Sequence, residues 1–164
     1  LEAKGYGGVV DKTNAKALWL DRLYGTQYRN ISNILTVNRK VFWHEVLDVF
    51  SNVHDCCSLA RHSNYDSTKV RYYHDGDYYE PHTDQSIMFL GFSYFFREPK
   101  KFEGGELFFP KYDYEFNCPN NSLIMMPGWV EHGVSKVSIS NSDYFDGFGR
   151  YAITSFFGIK EKSK

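Results

Sequence analysis

Cysteine is scarce in this chain of 164 residues: Cys56, Cys57 and Cys118 are the whole complement, two of them are adjacent, and no Cys-x-x-Cys pair occurs. That excludes a disulfide framework and a zinc–cysteine site. It suits a reducing compartment, so a cytoplasmic location is expected. Long apolar runs are missing too. None approaches the roughly 18 residues a membrane-spanning helix needs, and no membrane partner is expected. There is no excess of one charge either, since 19 Lys+Arg stand against 20 Asp+Glu for a formal net charge of −1. A surface built to grip a phosphate backbone would be basic, so no nucleic-acid partner is expected. A Gly-Lys-Ser/Thr phosphate loop and a Gly-x-Ser-x-Gly nucleophile turn are both absent. Repeats and low-complexity linkers are absent as well, which points to one domain over 1–164. The first residue is Leu1, as in a trimmed chain, and a targeting segment ahead of it stays open.

Aromatics, by contrast, are abundant: 14 Phe, 13 Tyr and 3 Trp make up 18% of the chain. Such residues pack well on pleated surfaces. Residues 1–65 read as a helical support. Thr13–Tyr24 carries Ala15, Ala17, Leu18, Leu20 and Leu23 before Gly25, which suits a short helix. Asn38–Val53 suits a second one, with Asn38 as cap and Val41, Phe42, Val46, Val49, Phe50 and Val53 recurring at spacings of three and four. Over 66–158 the texture changes to short apolar-aromatic runs broken by turn residues. Strands are expected at Lys69–Tyr73, Tyr78–His82, Ser86–Phe96, Glu106–Phe109, Asp113–Phe116, Ser122–Met126, His132–Val137 and Arg150–Phe157. The fold class is therefore mainly β with N-terminal helices (α+β), a jelly roll of about eight strands. Residues 159–164 read as a charged tail.

Chemistry concentrates around Tyr79-Glu80-Pro81-His82-Thr83-Asp84. On an extended strand, side chains at i and i+2 share a face, so His82 and Asp84 converge. That is two-thirds of the two-His-one-carboxylate site that leaves open positions on Fe(II). Alone, His-x-Asp carries little. A third ligand is on offer at His132, opening a strand after Pro127-Gly128. Further on, Arg150 stands on an otherwise apolar strand, where a buried guanidinium needs an anionic partner and is suited to holding a carboxylate by two hydrogen bonds.

These motifs, taken in order, resemble those of the 2-oxoglutarate- and Fe(II)-dependent dioxygenases of the prolyl 4-hydroxylase-like group. The match runs from about Val70 to Gly158. It rests on Tyr73-x-x-Gly76-Asp77, His82-x-Asp84, Tyr94 and Phe95 ahead of Phe102-Glu103-Gly104-Gly105-Glu106-Leu107, His132-Gly133-Val134 with Val137, and Arg150-Tyr151-Ala152-Ile153-Thr154. The resemblance implies a double-stranded β-helix in which His82, Asp84 and His132 bind Fe(II). It implies 2-oxoglutarate as co-substrate, with its far carboxylate on Arg150 and a hydroxyl contact from Tyr94. Tyr73 and Thr154 are implied as further pocket residues, and dioxygen as the second co-substrate. It further implies succinate and carbon dioxide as co-products of hydroxylation at an unactivated C–H. One departure is the 18-residue spacing from His132 to Arg150, longer than the family's short hairpin. The additional residues, with Tyr144, Phe145 and Phe148, are expected as a loop at one end of the barrel. With Tyr78 or Tyr79 and the stretch after Asp84, they would line the site mouth, unless they simply complete the core.

Other residues read more plainly. His44, His54, His62 and His74 lack ligand-like surroundings. Glu131 should face solvent, and Gly104-Gly105 reads as a turn. Four functions compete: hydroxylation of a prolyl or related residue in a peptide or protein, hydroxylation of a small molecule, nucleic-acid dealkylation, and a non-catalytic jelly-roll binding module. Dealkylases of this superfamily carry a second Arg six residues after the co-substrate Arg. That position is Phe156 here, which sets the third aside. An intact triad with Arg150 argues against the fourth. Oligomeric state is not readable from the sequence.

Overall fold

In this computed structural model the residues described are 12–25 and 31–160. The first element is a strand, β1 (Lys16–Trp19), followed by a short helix, α1 (Leu20–Tyr24). Thr13–Tyr24 is thus not one helix. The Ala- and Leu-rich composition favours a helix locally, yet β1 pairs along its length with the edge of a long strand. Trp19 there faces Lys69, whose ammonium lies 4.7 Å from the indole centroid. Pairing and aromatic packing override a weak propensity.

The second helical stretch starts earlier than its valines suggest. It runs as α2 (Asn33–Val41), a π-helical turn (Phe42–Val46) and α3 (Leu47–Val53), then a 3-10 stretch (Asp55–His62). The cap is Ser32, whose Oγ accepts from the Leu35 N–H; Asn38 lies inside the helix. From Asn33 to Val53 only Leu35, Phe42 and Leu47 are fully buried, while Val41, Val49 and Val53 face solvent. The π turn inserts one residue, so Leu47 instead of Val46 comes under Phe42. Phe42 stacks on Phe157 at 4.2 Å and presses on Gly91, where an added Cβ would sit 2.1 Å from the Phe42 ring.

The remaining strands are β2 (Tyr65–Tyr73), β3 (Tyr79–His82), β4 (Phe89–Phe95), β5 (Phe102–Glu103), β6 (Leu107–Phe109), β7 (Tyr114–Phe116), β8 (Ser122–Pro127), β9 (His132–Val134), β10 (Ser138–Ile139) and β11 (Arg150–Gly158). All eight expected strands are present, with β2 longer and β4 and β9 shorter than expected; β1, β5 and β10 are additional. One antiparallel sheet has the order β1-β2-β11-β4-β8, and the other β3-β9-β6-β7, with β5 and β10 paired separately. The crossed order of chain neighbours is that of a double-stranded β-helix. Leu90, Phe92 and Tyr94 of β4, Leu107 of β6, Met126 of β8 and Phe156 of β11 form one cluster between the two sheets. Helical residues Phe42 and Leu47 join Phe89 and Phe157 in a cluster on the larger sheet's other face. The helices therefore back the sheet that carries Arg150, and the inner faces are left for the site. Among the described residues no helix is long and apolar enough to cross a membrane.

Candidate metal centre

His82 closes β3 and His132 opens β9, and the two are register partners across the pair. Each imidazole is oriented from behind. His82 Nδ1–H donates to the Glu80 carbonyl and His132 Nδ1–H to the Val130 carbonyl, both at 2.9 Å. A carbonyl can only accept, so the proton is on Nδ1 and each Nε2 presents a lone pair. Both Nε2 atoms lie 3.8 Å from the same Asp84 Oδ2.

Asp84 does not reach this place by strand alternation alone, since β3 stops at His82. The Asp84 N–H donates to the Gly128 carbonyl at 2.8 Å, its carbonyl accepts from the Ile87 N–H at 2.8 Å, and the Gly128 N–H donates to the Met88 carbonyl at 3.1 Å. An added Cβ at Gly128 would lie 2.1 Å from the Ile87 oxygen and 2.6 Å from that of Asp84. Only glycine permits so close a backbone crossing. A second clamp acts behind the ligands. Gly76 N–H donates to the Val137 carbonyl and Val137 N–H to the Asp77 carbonyl, which ties the Tyr73-x-x-Gly76-Asp77 turn to the segment after His132.

The donor atoms of His82, Asp84 and His132 all lie within 4.8 Å of one another. Burial pushes the His82 imidazole down to about 4, helped by the neighbouring His132. Burial lowers His132 as well. Both are thus neutral at neutral pH, the form that ligates metal. Two imidazole nitrogens and one carboxylate on a single face suit Fe(II). Among the described residues no other group of His, Cys, Asp and Glu comes together this way; His44, His54, His62 and His74 stand apart from it.

Beside the triad lies a narrow, enclosed cavity. It is lined by Arg71, Tyr73, Tyr79, His132, Arg150 and Thr154, with apolar residues between them. Arg150 is 2% exposed, and its guanidinium carbon lies 4.8 Å from the Tyr73 ring centroid and 5.2 Å from that of Tyr94. Its Nε has no partner, and neither has the buried Thr154 hydroxyl. Arg71 is buried too, with its Nε unpartnered and one long 3.4 Å contact to the Tyr79 hydroxyl. Unpaired guanidiniums in a largely apolar space are costly unless an anion joins them. The cavity is therefore chemically matched to an acidic small molecule.

Residues 68–158 match the family model of the 2OG-Fe(II) oxygenase superfamily. The chain belongs to this superfamily. It is a 2-oxoglutarate-dependent dioxygenase whose cofactors are Fe(II), 2-oxoglutarate and dioxygen. Comparison with curated proteins gives no match. Solved structures similar to this oxygenase include a 2OG-Fe(II) oxygenase family oxidoreductase from Burkholderia pseudomallei (TM-score 0.59, 13% identity, covering 94% of this chain and 69% of that one). A Pseudomonas putida prolyl-4-hydroxylase aligns with TM-score 0.52 and 17% identity over 91% of this chain and 74% of its own. The viral collagen prolyl hydroxylase of Paramecium Bursaria Chlorella virus-1, solved as a 2OG complex, gives 0.51 and 16% over 89% and 78%. At such identities these likenesses speak for the fold.

The oxygenase fold brings most of the expected site residues together. His82, Asp84 and His132 meet, and Arg150, Tyr73 and Thr154 line the adjoining cavity despite the long insertion. Tyr94 stands behind Arg150 and outside the lining; burial pushes its phenol up to about 12, so it stays protonated. Of the Tyr78–Tyr79 pair, Tyr79 reaches the site, its ring stacked 4.0 Å from that of His82. The insertion is placed differently from the expectation. Ser138 and Ile139 pair with β5, and Phe148 is buried. Tyr144 and Phe145 pack on His74 in a groove shared with Tyr72 and Tyr151. Tyr72 and Tyr151 lie on the opposite strand faces from Tyr73 and Arg150, so these aromatics do not wall the metal site. Arg71 went unread as a site residue. Its signal is its position two residues before Tyr73 on one strand, which places both on the inner face.

Proposed function

We propose that His82, Asp84 and His132 hold Fe(II), that Arg150 anchors the far carboxylate of 2-oxoglutarate, and that the enzyme hydroxylates an unactivated C–H of a prolyl or related residue in a peptide or protein. Succinate and carbon dioxide are the co-products of this reading. Iron with its co-substrate and dioxygen supplies the oxidising power that places one oxygen atom in the C–H bond. The chain's own residues do the rest. The Glu80 and Val130 carbonyls fix the two imidazole tautomers and aim both Nε2 atoms at one point. The turn at Gly128 holds the Asp84 carboxylate against the same point. Buried Arg150 is flanked by Tyr73 and Tyr94, and among the described residues its Nε has no hydrogen-bond partner. Thr154, whose buried hydroxyl lines the cavity without a partner, can donate to the co-substrate.

The observation that carries the peptide reading is the contrast between a small closed cavity and an open rim. The cavity is narrow and enclosed, with Arg71 and Arg150 in its lining. Its two buried guanidiniums suit an acidic co-substrate, and so narrow a space does not take a second organic molecule beside it. The prime substrate then reaches the metal from outside, where the Asp84 side chain keeps 26% exposure. A segment of polypeptide laid across the rim can do this. Prolyl hydroxylases among the structurally similar proteins agree with that choice.

The test is 2-oxoglutarate turnover, read as succinate, with a panel of proline-containing peptides against free proline and other free amino acids. Stimulation by peptides is expected. Stimulation by a free amino acid and by no peptide would replace this reading with the small-molecule one.

A further inference from the structure

We infer that Arg71 is a second co-substrate residue, which takes the carboxylate next to the keto group while Arg150 takes the far one. This rests on the function proposed above.

Three observations converge. First, Arg150 is the register partner of Tyr73, and Ala152 that of Arg71. Arg71 and Arg150 are therefore diagonal neighbours on the inner face of adjacent strands, and both line the same cavity. Second, among the described residues neither guanidinium has a carboxylate within salt-bridge distance, and the Nε of each is buried without a hydrogen-bond partner. A dianion answers two unpaired cations, whereas a monoacid would leave one of them buried and uncompensated. Third, the two cations occupy different ends. Arg71 lies 4.4 Å from the Tyr79 ring centroid, and that ring stacks on His82. His132 lines the same cavity as Arg71. Arg150 sits instead between Tyr73 and Tyr94, against Gly105, where an added Cβ would come within 3.1 Å of the Arg150 Cδ. The carboxylate beside the keto group belongs at the metal end, and Arg71 is the cation there. Its burial, at 6% exposed, disfavours a contact with a macromolecular substrate.

Two truncated acids separate the ends: 4-oxopentanoate has a methyl in place of the carboxylate next to the keto group, and 2-oxopentanoate has one in place of the far carboxylate. The full Fe(II)-loaded chain is titrated anaerobically by calorimetry, directly with 2-oxoglutarate and by competition with the two analogues. For Arg71→Met, 2-oxoglutarate and 2-oxopentanoate should bind about ten- to a hundredfold more weakly, the worth of a charge-assisted hydrogen bond, with 4-oxopentanoate unchanged. Arg150→Met should show the mirror pattern: 4-oxopentanoate weakened and 2-oxopentanoate unchanged. The thermal midpoint of the metal-free chain should not fall in Arg71→Met, because an unpaired buried charge is being removed; Arg71→Gln provides the same test with a polar side chain. If the wild-type chain binds Fe(II) but not 2-oxoglutarate, the proposed function fails. If it binds both and Arg71→Met binds all three acids as wild type does, or loses all three equally, the assignment of Arg71 is overturned on its own. Undiminished 2-oxoglutarate affinity with lost peptide stimulation would assign Arg71 to the prime substrate instead.

Discussion

Replacing Gly128 by alanine tests how the carboxylate ligand is held, without touching a ligand. The added methyl would lie 2.1 Å from the Ile87 oxygen and 2.6 Å from the Asp84 oxygen. Ordinary contact begins at 3.4 Å, so the 84–87 turn must retreat by more than an ångström. Both obstructing atoms are backbone, so no rotamer change can relieve the clash. Overpacking of this kind costs about 1–3 kcal/mol of stability. The effect on the site should be larger in proportion, because metal–ligand distances tolerate only about ±0.2 Å and Asp84 moves with its own carbonyl. Loss of such orienting groups lowers metal affinity about 10–100-fold. The assay is anaerobic Fe(II) titration beside a thermal melt of the metal-free protein. Gly25→Ala is the control: nothing lies within 4 Å of an added Cβ there, and φ is +62°. It should lose about 1–2 kcal/mol from left-handed strain and no metal affinity. Wild-type Fe(II) affinity in folded Gly128→Ala would refute the view that this crossing positions Asp84.

Further outcomes follow from the same geometry. His82→Ala or Asp84→Ala should abolish Fe(II) binding and succinate formation while the barrel melts as a single folded unit; undiminished succinate from either purified variant would remove the triad assignment. Arg150→Ala should weaken 2-oxoglutarate binding by about 2–5 kcal/mol with Fe(II) affinity nearly intact, and Arg150→Lys should recover only part because the planar fork is lost; calorimetry reads both. Phe42→Ala empties the place between Phe157 and Gly91 and should cost about 3–5 kcal/mol, seen in a denaturant melt, while Fe(II) affinity of the folded fraction is unchanged.

The strands were legible because period-two aromatic alternation and Gly/Pro breaks are local signals, and the convergence of His82, Asp84 and His132 because their residue types are rare in that order. Arg150 was legible through its setting, a lone cation on an apolar strand, and the insertion before it did not displace it. What stayed hidden depends on distant chain. The crossing of Gly128 over the Asp84 turn joins residues far apart in sequence, and nothing near Pro127-Gly128 says which backbone it meets. The residues of β1 look helical because the demand for a partner strand comes from β2. The valine pattern of Asn38–Val53 misplaced the buried face, since a π turn at Phe42–Val46 shifts the helical phase. Arg71 was overlooked because Lys69, Arg71 and Tyr73 alternate as any half-exposed strand does; its burial follows from β9 and β3 lying across it.

β11 is the last of the described strands and yet lies inside the larger sheet, with β2 on one edge and β4 on the other. It pairs with β2 over nine positions and with β4 over seven. Synthesis runs from the N-terminus, so until residues 150–158 have been made, β2 and β4 each show a bare, aromatic-rich edge and the sheet is in two pieces. Contacts of such long sequence separation form slowly, and exposed edges of this kind invite pairing with other chains. The nascent protein is thus most vulnerable to aggregation in the interval before its final strand slides between the two waiting ones, and the same event delivers Arg150 into the cavity. Completion of the sheet and closure of the cavity around Arg150 are one step.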